Sequence, residues 1–338
     1  YEGTSQEVLS KIRLELNYST VKNIDSLKDR LYTAKTDSIL VSDLIKEDLE
    51  EKYTDFSERT RVLKTIDITK DVEDITKKVS IKNTSFNVLI SGMDSYGTIN
   101  KTTRNDVNMI ATVNPNTNKV LLTSIPRDYY VQLHGKTGYK DKLTHAGIYG
   151  INTVVQTIED LFGIDINYYV RVNFTTVESL VNTIGPIEIY SDKAMSLDGC
   201  KYVVGTNTVN GKCALRFARE RHSYVEGDNH RIKNQQEVIK GIFNKLSKSA
   251  MVVTDYTSIL DSLDGKFATN MDMKDITAFI KYELEDITKY EILDTQVTGT
   301  GSMELTYSYP HQKLYVMFPS EQSVESAKEY INKISNEK

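Results

Sequence analysis

Between Arg216 and Gln236 the chain reads RFARERHSYVEGDNHRIKNQQ, with guanidinium groups at Arg216, Arg219, Arg221 and Arg231, a carboxylate at Asp228 and adjacent amides at Gln235 and Gln236. Arginine presents a planar fork of donors that meets phosphate oxygens two at a time, whereas lysine offers a point charge. The chain as a whole is acidic, with a formal net charge of -5 and a pI near 5.7. Such a local concentration of arginine therefore points to a specific anion, and phosphate fits best. The plainer reading is a solvated helix whose arginines pair with neighbouring glutamates.

A second constellation favours the anion. FNVLISGM, Phe86 to Met93, is an apolar run of strand type, and Asp94 follows it directly. The polar loop DSYGTINKTTRND leads to Arg104 and Asp106. VNMIATVN reads as the next strand, PNTN (115–118) as a tight turn, and KVLLTSI as a returning strand that ends in Pro126-Arg127-Asp128. Adjacent strands thus deliver Asp94, Arg104, Asp106 and Arg127 to loops or strand ends, where open α/β sheets bind ligands. Two carboxylates a loop apart suit one hard divalent cation, because magnesium takes one or two carboxylates and completes its shell with water and substrate phosphate. Arginines around it would neutralise a phosphoryl or pyrophosphoryl group. Taken singly, each aspartate is equally a turn residue or the partner of a neighbouring arginine.

These side chains need a frame, and the alternation of strand-like and helix-like runs from Phe86 to Ile189 predicts a mixed α/β sheet flanked by helices. Ile148, Ile151, Val155, Ile158 and Leu161 or Phe162 recur at helical spacing and stop at Gly163. INYYVRVN reads as a strand and FTTVESLVNTIG as a short helix. Further on, MDMKDITAFIKYELED predicts an amphipathic helix, YEILDTQV and KLYVMF strands, and SEQSVESAKEYINKI a terminal helix capped by Ser320. The first 80 residues carry charged, mostly helical patterning (EVLSKIRLEL, DSLKDRLY, LVSDLIKEDLEEKY) and no chemical cluster. They are assigned to a small accessory domain, residues 1–80, ahead of a catalytic domain, residues 81–338. Cys200 and Cys213 bracket the turn-rich KYVVGTNTVNGK, which predicts a hairpin that brings the sulfurs together. Such a bridge implies an oxidising, extracytoplasmic compartment.

FNVLISGMDSYG, TRNDVNMIATVNP, LLTSIPRDYYV, KLTHAGIYG, FGIDINYYVRVNFTTVESLVNTIGPIEI and ALRFARERHSYVEGDNHRIKNQQEVI together resemble the extracellular part of LytR-CpsA-Psr (LCP) proteins of Gram-positive bacteria, in particular the capsule-associated branch. The resemblance covers roughly Phe86 to Leu246; Asn234 stands where many members carry another arginine. It implies the LCP fold and a phosphotransferase that attaches an anionic glycan, of capsule or wall teichoic acid type, from undecaprenyl pyrophosphate to peptidoglycan. By the same resemblance Asp94 and Asp106 bind Mg2+ (or Mn2+), and Asp94, Arg104, Asp106 and Arg219 are catalytic. Arg104, Arg127, Arg219, Arg221 and Arg231 bind pyrophosphate, Asp228 and Gln235 position that shell, and Lys142 is a weaker match. Also implied are an apolar slot for the polyprenyl chain and a single N-terminal membrane helix ahead of this chain. The expected location is thus the extracytoplasmic face of the membrane.

Other chemistries find little support. His145 and His222 lie near the motifs, but the five histidines show no metal-type spacing. Neither a Walker-type phosphate loop nor a Ser-His-Asp arrangement is evident, and GKCAL is not such a loop. No run approaches the ~20 apolar residues of a membrane helix. Nucleic acid is not an expected partner, given the acidic balance and the lack of a basic recognition helix. Hydrolysis of the pyrophosphate, or carrier-lipid binding without catalysis, would use the same residues and stays open at this point.

Overall fold

The computed structural model describes residues 21, 24–41, 43–63, 74–97, 99, 103–224, 227–247, 259, 262, 263, 265–272, 274–277 and 290–338. In chain order these form α1 (Ile24–Tyr32), α2 (Asp43–Lys52), α3 (Phe56–Arg59), β1 (Phe86–Met93), β2 (Asn105–Asn114), β3 (Lys119–Ile125), β4 (Tyr130–Val131) and β5 (Asp141–Lys142). A 3-10 helix (Leu143–Tyr149), α4 (Ile151–Phe162), β6 (Tyr168–Val172), α5 (Phe174–Ile184), β7 (Ile187–Ser191), β8 (Met195–Leu197), β9 (Cys200–Tyr202), β10 (Gly205–Val209), α6 (Gly211–Arg219) and α7 (Asp228–Ser247) follow. The chain closes with β11 (Ala268–Thr269), β12 (Glu291–Gln296), β13 (Gly299–Glu304), β14 (Leu314–Pro319) and α8 (Glu321–Asn336).

Among the described residues, a six-stranded sheet runs in the order β11-β6-β1-β2-β3-β12. β1, β2 and β3 form an antiparallel meander, while β6 joins β1 and β12 joins β3 in parallel. The sheet is therefore mixed, and both faces are covered. Leu89, Ile110 and Leu121 pack on one face against Val155 and Ile158 of α4 and Ile331 of α8. Phe86, Met109, Ala111 and Leu122 pack on the other against Ile239 and Phe243 of α7. A strand buried on both faces reads as a continuous apolar run, which is why β1 to β3 are evident in the sequence. β2 nevertheless begins at Asn105, so Asp106 lies within the strand rather than ahead of it.

The expected helix before Gly163 is broken at Gly150 into the 3-10 helix and α4. Ser320 caps α8 by accepting from the Ser323 N–H. Of the helix predicted over residues 271–286, residues 274–277 are described as helical and most of the remainder lies outside the described residues, as does EVLSKIRLEL. α1 and α2 match DSLKDRLY and LVSDLIKEDLEEKY. Ile24, Leu27, Ile45, Leu49 and Phe56 bury together with Tyr309, and Ile148 and Leu314 pack against them. The N-terminal helices thus rest on the 3-10 helix and the segment before β14.

The hairpin expected between Cys200 and Cys213 does not form. β9 pairs with β8, whereas β10 pairs with β7, opposite Ile187 to Ser191. The two cysteines are nonetheless bonded, with Cα atoms 5.5 Å apart. Cys213 sits in the first turn of α6, so the bridge ties the β8-β9 ribbon to the helix that carries Arg219. Tyr202 Oη reinforces the tie by donating to the Cys213 carbonyl at 2.7 Å. The misreading has a physical source: Gly, Asn and Thr signal a turn, but Val209 and its neighbours found a better-buried partner strand in β7.

Candidate active site

Asp94 and Asp106 lie at the same end of the β1-β2 pair. β1 and β2 are in register from Phe86↔Val113 to Gly92↔Val107, after which Met93 pairs with Asn105. Asp106 is therefore the extra residue of a β-bulge, a device that re-aims a side chain beside active sites. Gly92 permits the close strand approach there, because a Cβ at that position would lie 2.8 Å from Val107 Cβ. Arg127 Nη1 donates to Asp106 Oδ2 at 2.8 Å, and the Thr144 hydroxyl donates to Oδ1 at 3.1 Å. Burial alone would raise the Asp106 carboxyl; Arg127, Arg231, the Thr144 hydroxyl and Arg104 outweigh it and hold the group below the usual carboxylate range.

Asp94 follows the last residue of β1, with about half of its side chain (49%) in solvent. Its carboxyl lies above the ordinary range, first because surrounding protein displaces part of its water and next because Asp106 is close. Arg219, Arg127 and Arg231 pull in the opposite direction without cancelling those effects. Arg219, the last residue of α6, approaches Asp94 at 3.7 Å and lies 4.1 Å over the Phe174 ring. Tyr96 packs edge-on to Phe174 at 5.0 Å, so two aromatic rings shape the rim on which this guanidinium rests.

Arg231 is buried in α7 and its charge reaches both aspartates. Gln235 lies one turn beyond it on the same helical face; Gln236 points elsewhere, donating to Ser124 Oγ and the Thr295 carbonyl at 3.0 Å each. Asp228 opens α7 and its side chain lies outside the described residues. Arg221 donates to His222 Nε2 at 3.4 Å, and no described ion pair joins it to either aspartate. Arg216 turns away to Asp198 at 3.0 Å. The sequence cluster therefore divides: Arg219 and Arg231 converge on the carboxylates, Arg216 does not, and Arg221 stands beside His222.

Three contributors escaped the sequence analysis. Thr144 binds Asp106, as described. Asp128 forms an ion pair with Lys142 at 2.5 Å and sets its negative charge 3.8 Å behind Arg127 Nε, beyond hydrogen-bond reach. Asp48 of α2 forms an ion pair with Arg104. Thr144 sits two residues after Lys142 in the KLTHAG motif, a signal that could have found it, whereas Asp48 carries no local signal. His145 belongs to a buried latch, with Nδ1 2.7 Å from Asp141 Oδ1, while Asp141 Oδ2 accepts from the Ser308 N–H at 2.9 Å and its hydroxyl at 2.5 Å. That network locks the 3-10 helix to the segment before β14 and does not face the carboxylate pair.

Among the described residues, no group of three or more His, Cys, Asp or Glu gathers as a metal cage. The arrangement instead offers two carboxylates beside converging guanidinium groups.

A profile of the LytR_cpsA_psr family matches residues 52–329. The chain is 32% identical over 255 residues to the polyisoprenyl-teichoic acid–peptidoglycan teichoic acid transferase TagU of Enterococcus faecalis, covering 73% of this chain and 82% of that protein. Identity to TagU of Bacillus subtilis is 34% over 231 residues, covering 67% and 72%. The fold is similar to that of B. subtilis TagU (TM-score 0.59, 28% identity, 76% of this chain and 99% of that one). It is also similar to TagT bound to LIIa-WTA (TM-score 0.61, 25% identity, 77% and 94%). With the carboxylate pair and its arginines inside the matched span, the chain belongs to the LytR_cpsA_psr family.

Proposed function

We propose that this chain is a phosphotransferase that moves an anionic cell-wall glycopolymer, of teichoic acid or capsular type, from undecaprenyl pyrophosphate to peptidoglycan on the outer face of a Gram-positive membrane. The carrying observation is the convergence of Arg127, Arg219 and Arg231 on two aspartates whose proton affinities are displaced in opposite directions. The TagU relatives act, by name, on a polyisoprenyl-teichoic acid and peptidoglycan. The disulfide supports an oxidising location. Among the described residues no helix is long and apolar enough to cross a membrane.

Phosphoryl transfer asks a protein mainly for positioning and charge stabilisation. Arg127 and Arg231, held rigidly from the sheet and α7, would grip the pyrophosphate, and Arg219 would close on it from the rim. An acceptor sugar hydroxyl attacks the glycan-side phosphorus, the bond to the bridging oxygen breaks, and polyprenyl phosphate departs with that oxygen. The hydroxyl proton needs a base on the open side, and Asp94 is the carboxylate that stands there. Asp94 and Asp106 are the residues that would hold Mg2+ or Mn2+; a bound cation would offset the burial and, after it, the repulsion by Asp106 that raise Asp94. When bound, such an ion neutralises phosphoryl oxygens.

The test incubates the purified chain with a polyprenyl-pyrophosphate-linked glycan, magnesium and a peptidoglycan oligomer, with products read by mass spectrometry. A glycan-phosphate-peptidoglycan adduct that disappears in Arg219→Ala is the expected outcome. Free glycan phosphate without adduct would replace transfer by hydrolysis.

A further inference from the structure

We propose that Asp48, supplied by the N-terminal helices, is a positioning residue for Arg104, so that the accessory segment completes the phosphate-handling site. This rests on the phosphotransferase reading given above. Asp48 Oδ1 meets Arg104 Nη2, and only about a fifth of either side chain is exposed. Asp48 lies three residues after Ile45 on α2, on the flank of the face that Ile45 and Leu49 bury. Ile45 and Leu49 are fully buried with Phe56 and Tyr309, next to Ile148. The helix is consequently held in one register against the 3-10 helix, and its carboxylate is delivered to a defined place.

Arg104 stands directly before β2 and two residues before Asp106, and its charge reaches that carboxylate. The backbone around it is seated by the 3-10 helix, where a Cβ on Gly147 would lie 2.7 Å from Asn105 Oδ1 and also strike the Thr103 carbonyl. The backbone is thus fixed from one side, but a long arginine side chain still has several rotamers to lose. Asp48 removes that freedom. A planar guanidinium carries five N–H donors in a rigid fork, so a carboxylate engaging one end sets the orientation of the whole group. A buried ion pair adds little net stability compared with apolar packing; the effect expected of this one is geometric, in the way that outer partners orient the groups that touch a ligand.

The experiment uses the full chain with Asp48→Asn, Asp48→Glu, Arg104→Lys and the Asp48→Asn/Arg104→Lys double variant. Turnover is measured with the polyprenyl-pyrophosphate-linked glycan, affinity with farnesyl pyrophosphate by calorimetry, and integrity by thermal melting. Asp48→Asn is expected to lower kcat about tenfold with a smaller change in KM. Asp48→Glu, which keeps the charge on a longer arm, should fall between it and the parent. In the Arg104→Lys background the Asp48→Asn change should have almost no further effect. Equal losses in both backgrounds would overturn the proposal in favour of a merely structural role, and a gain in kcat would make Asp48 a competitor of the phosphate. If the parent transfers no glycan, the phosphotransferase reading falls on its own. The coupling is then read from farnesyl pyrophosphate affinity, which should weaken on Asp48→Asn only when Arg104 is present. Should Asp48→Asn fail to fold, the same comparison with Asp48→Glu in the two backgrounds decides.

Discussion

The two walls of the site are built to different tolerances. On the sheet wall Asp106 is 11% exposed and hydrogen-bonded by Arg127 and Thr144, with the Asp128–Lys142 ion pair behind them. On the rim wall Asp94, just past β1, is 49% exposed and Arg219, at the end of α6, 40% exposed, and the two are 3.7 Å apart, beyond hydrogen-bond reach. One wall is finished before any ligand arrives; the other is left for the ligand to complete. Preorganised charge acts without reorganisation cost during reaction, while an open rim lets a bulky glycan-lipid enter and leave. The disulfide between Cys200 and Cys213 limits how far the open wall can stray.

Breaking the finished wall should cost the most. Asp106→Asn is expected to reduce activity by more than about 100-fold and shift the magnesium titration. It should also lower stability by about 3 kcal/mol, because Arg127 loses its buried partner; a melting curve like the parent's would contradict the rigidity ascribed to this wall. Arg219→Ala on the open wall should also reduce turnover by about 100-fold. Its stability cost should stay near 0.5–1 kcal/mol, the worth of the contact with Phe174. Activity losses that resemble each other beside stability losses that differ are what the comparison requires.

Cys200→Ser should lower stability by about 2–4 kcal/mol under oxidising conditions, with no difference from the parent once reductant is present. Equal melting of the parent with and without reductant would remove the staple from the account. The smallest effect is one of sign, measured in chelator. Asp106 has a lowered folded pKa, so its ionisation stabilises above the unfolded value of about 3.9, and the benefit fades as pH falls through the lower folded value. Asp94 has a raised folded pKa, so its ionisation opposes folding at neutral pH, and that penalty vanishes below about 3.9. Asp94→Asn should therefore raise the melting temperature slightly at pH 7 and not at pH 3, opposite to Asp106→Asn. Shifts of the same sign would collapse the distinction between the walls.

Some of this was legible along the chain. The apolar runs of β1, β2 and β3, the Ser320 cap of α8 and the acid and arginine motifs are local features, each read from residues a few positions apart. The bulge that turns Asp106 toward its partners was not, because Gly92 and Val107 come into contact only when two strands pair. The split of the arginine cluster also escaped, since Arg216 and Arg219 differ only in which neighbour the packed helix offers them. The hairpin expected after Cys200 failed for a related reason: turn-forming residues mark where a chain bends and not which strand it then joins.

By itself the sequence determined the kinds of groups available, the periods that make helices and strands, and the motif order that identifies the family. Tertiary structure alone decided that β12 joins β3, that Thr144 and Arg127 clasp Asp106, and that Asp48 reaches Arg104 from a helix with no chemical motif of its own. The physical reason is range. Propensity and periodicity act between neighbours in sequence, whereas burial and charge pairing act between whatever surfaces the folded chain brings together.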